Sequence, residues 1–288
     1  MDYISGIQRA VDYIEEHISD DIDIADIARE AACSPFYFQR IFGLLCGMPI
    51  GEYIRNRRLT LAGSELSSTD IRVIDAALKY GYDSPESFTR AFQRFHGITP
   101  SEAKRGGKLR SFSRVSVQIS LKGGSIMDYR IVKKDAFKVL EKVERHSIDD
   151  SANKNTIPEF WTRSWADGMV GKLLEQTPDR AFIFGICYNN EHTDNSRTFD
   201  YGIAALYGGG DVPDGYRVTE IPSRTWAVFE CRGAMPDAIQ KTWHDICTEF
   251  MPASGYTPTY EMDIEAYTAG NMADKLYYSE VWVPVEAK

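Results

Sequence analysis

Two apolar stripes, fifty positions apart, stand out in the first third of the chain. Each repeats apolar side chains at i, i+3, i+4 and i+7, the spacing of one buried helix face. The two stripes are Phe38, Ile41, Phe42 and Leu45, and then Phe88, Ala91, Phe92 and Phe95. The pattern predicts two amphipathic helices that are copies of each other.

Each predicted helix begins with the same signal. Ser34-Pro35 precedes the first stripe and Ser84-Pro85 precedes the second. Serine caps free backbone N–H groups, and proline at the first helical position gives up only an N–H that has no partner. A shorter apolar segment precedes each copy, so each copy predicts a helix-turn-helix whose second helix can enter a DNA major groove. A helix over Ile50–Leu66, about 25 Å long, would connect the copies.

The pattern changes after Gly106. The segment Gly106–Ser125 is the expected domain boundary, and alternation from Val115 to Leu121 suggests a strand inside it. Beyond it, short β-like runs surround two helical segments, at about 157–175 and 236–251. The predicted strands cover 129–133, 137–144, 180–188, 199–206, 216–221, 226–232, 260–267 and 277–285. They form two β-β-α-β-β repeats, which we expect to pair about a pseudo-twofold axis and leave a groove at their junction.

The predicted fold is therefore a multi-domain chain. An all-α domain with two helix-turn-helix units covers residues 1–107, a linker covers 108–126, and an α+β domain of two β-β-α-β-β repeats covers 127–288. Charge supports this division: the net charge is −9, yet residues 31–114 carry 13 Lys and Arg against 7 Asp and Glu. A basic block between acidic flanks is typical of phosphate contact.

The N-terminal motifs resemble those of AraC-type (AraC/XylS) transcription regulators over residues 5–105. The matching segments are Ile24–Ala28, Ser34–Phe42, Tyr53–Leu59, Tyr80–Tyr82, Phe88–Phe92 and Phe95–Pro100. The resemblance implies sequence-specific binding to double-stranded DNA, action with RNA polymerase, and most often activation of transcription.

The resemblance also implies which side chains meet DNA. The predicted base-reading face carries Phe36, Gln39 and Arg40 in the first copy and Glu86, Ser87, Thr89, Arg90 and Arg94 in the second. Arg suits guanine, Gln suits adenine, and an aromatic edge suits the thymine methyl group. Arg55, Arg57, Arg58 and Lys104 are expected to contact phosphates. Core packing is the alternative for Phe36, and Glu86 would accept from cytosine or repel phosphate.

The C-terminal half resembles gyrase-inhibitor-like effector-binding domains, which share the SOUL-type fold. The matching segments are Tyr201–Ala205, Ala227–Gly233 and Glu280–Val285, and the domain order is that of Rob-like regulators. Related domains bind lipophilic cations with a carboxylate among aromatic rings. The predicted effector residues are Trp161, Trp165, Tyr201, Trp226, Glu230, Glu280 and Trp282, with Glu280 as the first candidate for the carboxylate.

Two alternatives remain for this half. It could hydrolyse small electrophiles with Glu280 and a tyrosine, or it could be a protein-interaction module without a ligand. We expect no enzyme, cofactor or metal, because the five His residues form no spaced pair and no C-x-x-C occurs. Five scattered cysteines suggest reduced thiols in the cytoplasm. No apolar run approaches the roughly 20 residues that cross a bilayer.

Overall fold

The computed structural model of the chain describes residues 3–116, 126–147, 153–177, 182–188 and 198–288. Its contacts divide the chain into two units. The first comprises residues 1–32 and 46–119, and the second comprises residues 33–45 and 120–288. The short segment 33–45, which the sequence predicts as the first DNA-reading helix, thus clusters with the C-terminal half.

The first unit is built of helices. The N-terminal region has seven helices among its described residues, and the third of them groups with the second unit. The helices are α1 (Tyr3–Glu16), α2 (Ile24–Glu30), α3 (Pro35–Cys46), α4 (Ile50–Ser68), α5 (Val73–Lys79), α6 (Pro85–His96) and α7 (Pro100–Lys104). The second helix-turn-helix encloses a core of α4, α5, α6 and α7 side chains, among which Leu59, Leu66, Phe88 and Phe92 are almost fully buried.

The repeated helices begin as their sequences predict, and both end at a glycine. The side-chain oxygens of Ser34 and Ser84 each accept a hydrogen bond from the backbone N–H three residues later, both at 3.2 Å. Gly97 follows α6 in the left-handed region, at φ +80°, and Gly47 follows α3 at φ +68°. A side chain with Cβ is disfavoured at such φ values, so these glycines end both helices at the same place.

The chain after α7 lies against the first unit. The backbone N–H of Arg110 donates to His96 Nδ1 at 3.1 Å, and that of Phe112 donates to Thr60 Oγ1 at 2.9 Å. Val115 donates to the hydroxyl of Tyr53 at 3.2 Å and lies in no strand. The rest of the strand suggested around residues 117–121 lies outside the described residues.

The second unit is built on an antiparallel sheet. Its elements beyond α3 are β1 (Tyr129–Lys134), β2 (Phe137–Ser147), α8 (Asn153–Ala166), α9 (Met169–Gln176), β3 (Ile183–Tyr188), β4 (Thr198–Leu206), β5 (Arg217–Ile221), β6 (Arg224–Arg232), α10 (Asp237–Asp245), a π-helical turn (Ile246–Phe250), α11 (Met251–Ala253), β7 (Tyr256–Pro258), β8 (Met262–Tyr267) and β9 (Tyr278–Ala287). The strand order is β1-β6-β9-β8-β3-β4-β2-β5, with β7 paired to β9.

The strand order confirms the duplicated β-β-α-β-β architecture. Strands β2, β4 and β3 come from the first repeat, and β6, β9 and β8 come from the second. Each repeat gives its first strand to the other, because β1 pairs with β6 and β5 pairs with β2. The halves meet where β3 pairs with β8. One face of this sheet covers an apolar core that includes Phe184, Trp226, Ile264 and Trp282.

The predicted helices of this half are wrong in detail. The helix expected over 157–175 is two helices, because Gly168 adopts φ +77° between α8 and α9. The helix expected over 236–251 continues past α10 as a π-helical turn and then α11. The short strand β7 was not predicted, since three residues are too few to show alternation.

Candidate functional site

The predicted reading face of α6 is open on the first unit. Glu86, Arg90 and Arg94 are exposed and lie four residues apart, so they share one side of the helix. Thr89 is partly exposed. The Ser87 hydroxyl donates to the Ser84 carbonyl at 2.8 Å, so it also takes part in the helix cap. The face presents two guanidinium groups and one carboxylate.

The four predicted phosphate contacts divide into free and bound side chains. Arg55 is exposed. Arg57 is bound to the Glu15 carboxylate, with Nη2–Oε2 at 2.7 Å, and its side chain is only 13% exposed. Arg58 donates to the carbonyl oxygens of Ile18 and Asp20 at 2.8 and 2.6 Å.

Lys104 is also engaged, since its Nζ donates to the carbonyl oxygen of Ile71 at 2.6 Å. The guanidinium of Arg57 and the Glu15 carboxylate stabilise each other's charge, and their hydrogen bonds are the largest cause of the raised pKa of Arg57. Arg57 and Arg58 therefore hold α4 to the segment that precedes it, and their contact with phosphates stays a prediction.

In the second unit, α3 turns its predicted reading face toward the sheet. Phe36 is 7% exposed and its ring lies 4.1 Å from that of Phe199. Tyr37 packs on Tyr260 at 4.4 Å between ring centroids. Gln39 is partly buried. The exposed reading face expected on α3 is thus a packed face, which agrees with the alternative of core packing for Phe36.

Arg40 is the centre of this contact. Its Nη1 donates to Asp263 Oδ1 at 3.0 Å and its Nη2 donates to Glu265 Oε1 at 2.9 Å. Its guanidinium carbon lies 3.6 Å from the centroid of the Trp243 ring. Two carboxylates and one aromatic face therefore surround a single guanidinium group, whose side chain is 18% exposed.

The two carboxylates reach this point because of strand geometry. Asp263 and Glu265 lie two residues apart on β8, so both point to one face while Ile264 points to the apolar core on the other. Arg40 of α3 and Trp243 of α10 cover this face of β8. The side chains are only 5% and 15% exposed for Asp263 and Glu265, respectively.

Aromatic hydrogen-bond donors orient Glu265. Trp243 Nε1 donates to Glu265 Oε1 at 2.8 Å, and the Tyr267 hydroxyl donates to Oε2 at 2.7 Å. Trp161 packs edge-on against Tyr267, with 5.4 Å between ring centroids, and its Nε1 donates to the Tyr201 hydroxyl at 2.9 Å. Four aromatic side chains, from α8, β4, β8 and α10, thus surround Glu265. We call Asp263 and Glu265 together the acidic pair.

Gly185 on β3 makes room for this wall. It pairs with Glu265 across the strands, and a Cβ atom at this position would lie 2.1 Å from the Tyr201 hydroxyl and 3.4 Å from the Trp161 ring. A Cβ atom cannot lie so near the Tyr201 hydroxyl, so the glycine allows this side chain to approach the strand beside the Trp161 ring.

Burial and charge act in opposite directions on the groups of the site. Burial raises the pKa of Asp263 to about 6, even though the Arg40 guanidinium lowers it; the Glu265 charge raises it further. Burial alone would lower the pKa of Arg40, but the two carboxylates raise it above its usual value. Asp263 Oδ2 is buried and accepts no hydrogen bond from any residue that the structure describes.

Two other buried glutamates differ from this pair. Glu141 on β2 accepts from Tyr188, Thr219 and Arg217, the last at 2.9 Å. Glu280 on β9 accepts from Arg130 at 2.6 Å and also from Tyr278 and Trp282. Each is neutralised by an arginine of a neighbouring part of the sheet, whereas among the described residues Asp263 and Glu265 both form their ion pairs with Arg40.

The predicted effector residues fall into three places. Trp161 and Tyr201 lie at the acidic pair. Trp226 and Trp282 lie in the core on the other face, with ring centroids 6.0 Å apart. Glu280 lies on that same face of its strand, bound to Arg130. Glu230 and Trp165 are exposed, Trp165 to 54%. The structure does not bring these seven residues together.

The residues that sequence reasoning missed are Asp263, Glu265, Tyr267 and the role of Trp243. A signal was present: Asp-x-Glu-x-Tyr on a predicted strand places three polar groups on one face. What alternation does not reveal is that side chains of α3, α8 and α10 cover this face of β8, which is what buries the carboxylates. The junction itself was the predicted place for a groove.

Other chemistry has no support in the described part of the chain. No group of three or more His, Cys, Asp or Glu side chains there is arranged to hold a metal ion. No described helix combines the length and apolar character needed to cross a membrane.

Two protein families match separate parts of the chain. Residues 130–285 match the family described as integron-associated effector binding protein, and residues 27–106 match the helix-turn-helix domain family. The transcriptional activator AarP of Providencia stuartii is 41% identical over 97 residues, which cover 34% of this chain and 72% of AarP. The regulatory protein SoxS of Salmonella typhimurium is 40% identical over 96 residues, covering 33% of this chain and 90% of SoxS.

Among solved structures, a putative transcription regulation protein of Staphylococcus aureus MU50 is 23% identical. It aligns with a TM-score of 0.49 over 56% of this chain and 99% of its own length.

The two helix-turn-helix units and the duplicated sheet domain together define a DNA-binding transcription regulator with an effector-binding domain. The chain belongs to the integron-associated effector binding protein family through its C-terminal half, joined to an AraC-type helix-turn-helix region of the kind found in SoxS.

Proposed function

We propose that this regulator activates transcription in response to a lipophilic organic cation bound at Asp263 and Glu265. DNA would be read by α3 and α6, with Arg40 and Arg90 as the base-reading arginines, and RNA polymerase would be the partner. The activator AarP and the regulator SoxS support the DNA half of the proposal. We also propose domain boundaries at about 107 and 127, and the matched ranges 27–106 and 130–285 support this proposal.

The acidic pair supports the effector half. A guanidinium ion already lies between two buried carboxylates and over the Trp243 ring, so the site has the chemistry of a cation receptor. Asp263 Oδ2 keeps an unused acceptor position among the described residues. A buried carboxylate pair is costly without a counter-ion, which favours a ligand that carries positive charge and tolerates aromatic walls.

The hydrolase alternative has less support. It assigned the chemistry to Glu280, whose carboxylate accepts from Tyr278, Arg130 and Trp282. Burial alone would raise the pKa of Glu280, but these three donors lower it below its usual value. A carboxylate stabilised in this way is a weak general base.

Titration with tetraphenylphosphonium tests the effector site, because this aromatic cation keeps its charge at every pH. The titration uses the Arg40→Ala variant, in which no arginine competes for the carboxylates. We expect binding in that variant, and we expect Glu265→Gln in the same background to weaken it at least about tenfold, or about 1.4 kcal/mol.

Glu230→Gln in the Arg40→Ala background is the matched control. It removes the same charge from an exposed strand position where Glu230 pairs with Arg232. Equal affinity of the Glu265→Gln and Glu230→Gln variants would reject the acidic pair as the effector site, and no binding in the Arg40→Ala variant would reject a lipophilic cation of this kind.

A further inference from the structure

One helix carries out two tasks that exclude each other. The residues of α3 that would read bases are Phe36, Gln39 and Arg40. Phe36 and Arg40 are four residues apart, on one side of the helix, and both contact the sheet: Phe36 meets Phe199 and Arg40 meets the acidic pair. This face cannot lie on the sheet and in a major groove at the same time.

The contact has the composition of a specific site. Arg40 makes two charge-assisted hydrogen bonds and lies over an indole ring, and its side chain is largely buried. The neighbouring buried glutamates Glu141 and Glu280 have arginine partners from the sheet domain itself. The acidic pair instead forms its ion pairs with an arginine that lies 223 and 225 positions away in sequence.

We infer that α3 is a built-in competitor of the effector: Arg40 occupies the cation site until an effector displaces it, which releases α3 to read DNA. The inference rests on the proposed function of the acidic pair and adds its regulation. An effector would then resemble the groups that it replaces. A flat or bulky cationic group would take the place of the Arg40 guanidinium, and an adjacent aromatic group would take the place of the Phe36 ring.

Competition with Arg40 makes the apparent affinity of the site for an effector lower than its intrinsic affinity. A ligand that binds only the released state has its apparent affinity reduced by the fraction of molecules in that state. Arg40→Ala should therefore bind tetraphenylphosphonium about tenfold more tightly than the unmodified chain. Arg232→Ala is the matched control, because Arg232 is an exposed arginine of the same unit and is expected to leave the affinity unchanged.

DNA binding gives a second, independent measurement. The probe is a duplex enriched from a random-sequence pool by the full-length chain, and no effector is added. Glu265→Gln weakens the hold on Arg40 and should raise DNA affinity about tenfold through a larger released fraction. Glu230→Gln removes the same negative charge from an exposed position. Its DNA affinity therefore measures the general electrostatic effect of losing one carboxylate, which is subtracted from the effect of Glu265→Gln.

Amide hydrogen exchange verifies the physical state of the variant. In Glu265→Gln the amides of α3 should exchange faster, while those of α6 should not change.

The outcomes separate this inference from the proposed function. Equal tetraphenylphosphonium affinity of the unmodified chain and Arg40→Ala overturns the competition, although the acidic pair would remain an effector site. Equal DNA affinity of Glu265→Gln and Glu230→Gln overturns the release of a DNA-reading helix. If tetraphenylphosphonium binds neither protein, the proposed effector class fails, and the DNA measurement still decides the inference.

Discussion

At the scale of single residues, the partners of a carboxylate decide what it can do. Glu280 and Glu141 are as buried as Asp263, but an arginine of the sheet domain and neighbouring hydroxyl or indole groups satisfy each of them. Asp263 has one oxygen bound to Arg40 and one without a donor in the described structure. The same residue type therefore serves as structure in two places and as a candidate cation site in the third.

Asp263 should make cation binding depend on pH. Its pKa is about 6 in the folded chain, above the usual 3.8, and Arg40, Glu265 and Cys187 are the ionisable groups linked to it. Only the ionised form attracts a cation, so a bound cation lowers this pKa and binding releases a proton. In Arg40→Ala the loss of the guanidinium raises this pKa further, so tetraphenylphosphonium binding should weaken at least about tenfold as pH falls from about 8 to about 5.

The sign for folding is the opposite of the sign for binding. A raised carboxyl pKa in the folded state adds stability below pH about 4, and this stability is lost as pH rises through about 6. The control for the titration is Arg40→Ala combined with Asp263→Asn, which should bind more weakly and show little change with pH. A flat profile in Arg40→Ala alone would remove Asp263 from the site.

At the scale of helices and strands, local features could be predicted from the sequence, whereas contacts between distant segments could not. The sequence shows the Ser-Pro starts and the apolar stripes of α3 and α6, each repeated at an interval of fifty positions. The repeats of the sheet domain were also visible, because alternation is a property of each strand. The exchange of β1 and β5 between repeats was not, and neither was the partner of Arg40, since both depend on residues far apart in the chain.

The same limit explains the fate of the two predicted reading helices. Sequence equivalence predicts equal roles for Arg40 and Arg90, and their helices do have the same length and caps. Arg90 is exposed, whereas Arg40 is paired with Asp263 and Glu265. Nothing within α3 signals this difference, because its cause lies on β8.

Arg90→Ala should therefore give a simple loss of DNA binding. One guanidinium that reads a base contributes about 1–3 kcal/mol, so affinity for the enriched duplex should fall by that amount in a gel-shift titration. Arg163→Ala, an exposed arginine of α8 paired with Glu144, is the charge-matched control. An Arg90→Ala titration that coincides with the control would place base reading elsewhere on the chain.

At the scale of the whole molecule, fewer positive side chains of the basic block are available to DNA than the sequence suggests. Residues 31–114 carry 13 Lys and Arg against 7 Asp and Glu. Among the described residues, seven of these arginines contact carboxylates or backbone carbonyls: Arg40, Arg57, Arg58, Arg72, Arg105, Arg110 and Arg114. Releasing α3 would return one of them to the DNA-binding surface, so the effector would change the charge that DNA meets as well as the availability of a helix.

Effector and DNA should consequently strengthen each other's binding. Both favour the state in which α3 has left the acidic pair, and thermodynamic linkage requires the two effects to be equal. Saturating tetraphenylphosphonium should raise the affinity of the unmodified chain for the enriched duplex by about tenfold, the factor by which the released fraction can grow, and saturating duplex should raise tetraphenylphosphonium affinity by the same factor. Titration calorimetry measures one direction and fluorescence anisotropy of labelled duplex measures the other.

Arg40→Ala is the control that isolates the mechanism. Without the competing guanidinium the acidic pair no longer holds α3, so the coupling factor should fall toward one in both directions, while each ligand still binds by itself. Because Arg40 is also a base-reading candidate, the duplex affinity of this variant can fall, but its response to tetraphenylphosphonium must disappear. A cation that instead lowers DNA affinity would mean that the effector stabilises α3 on the sheet, and the direction of the switch would be reversed.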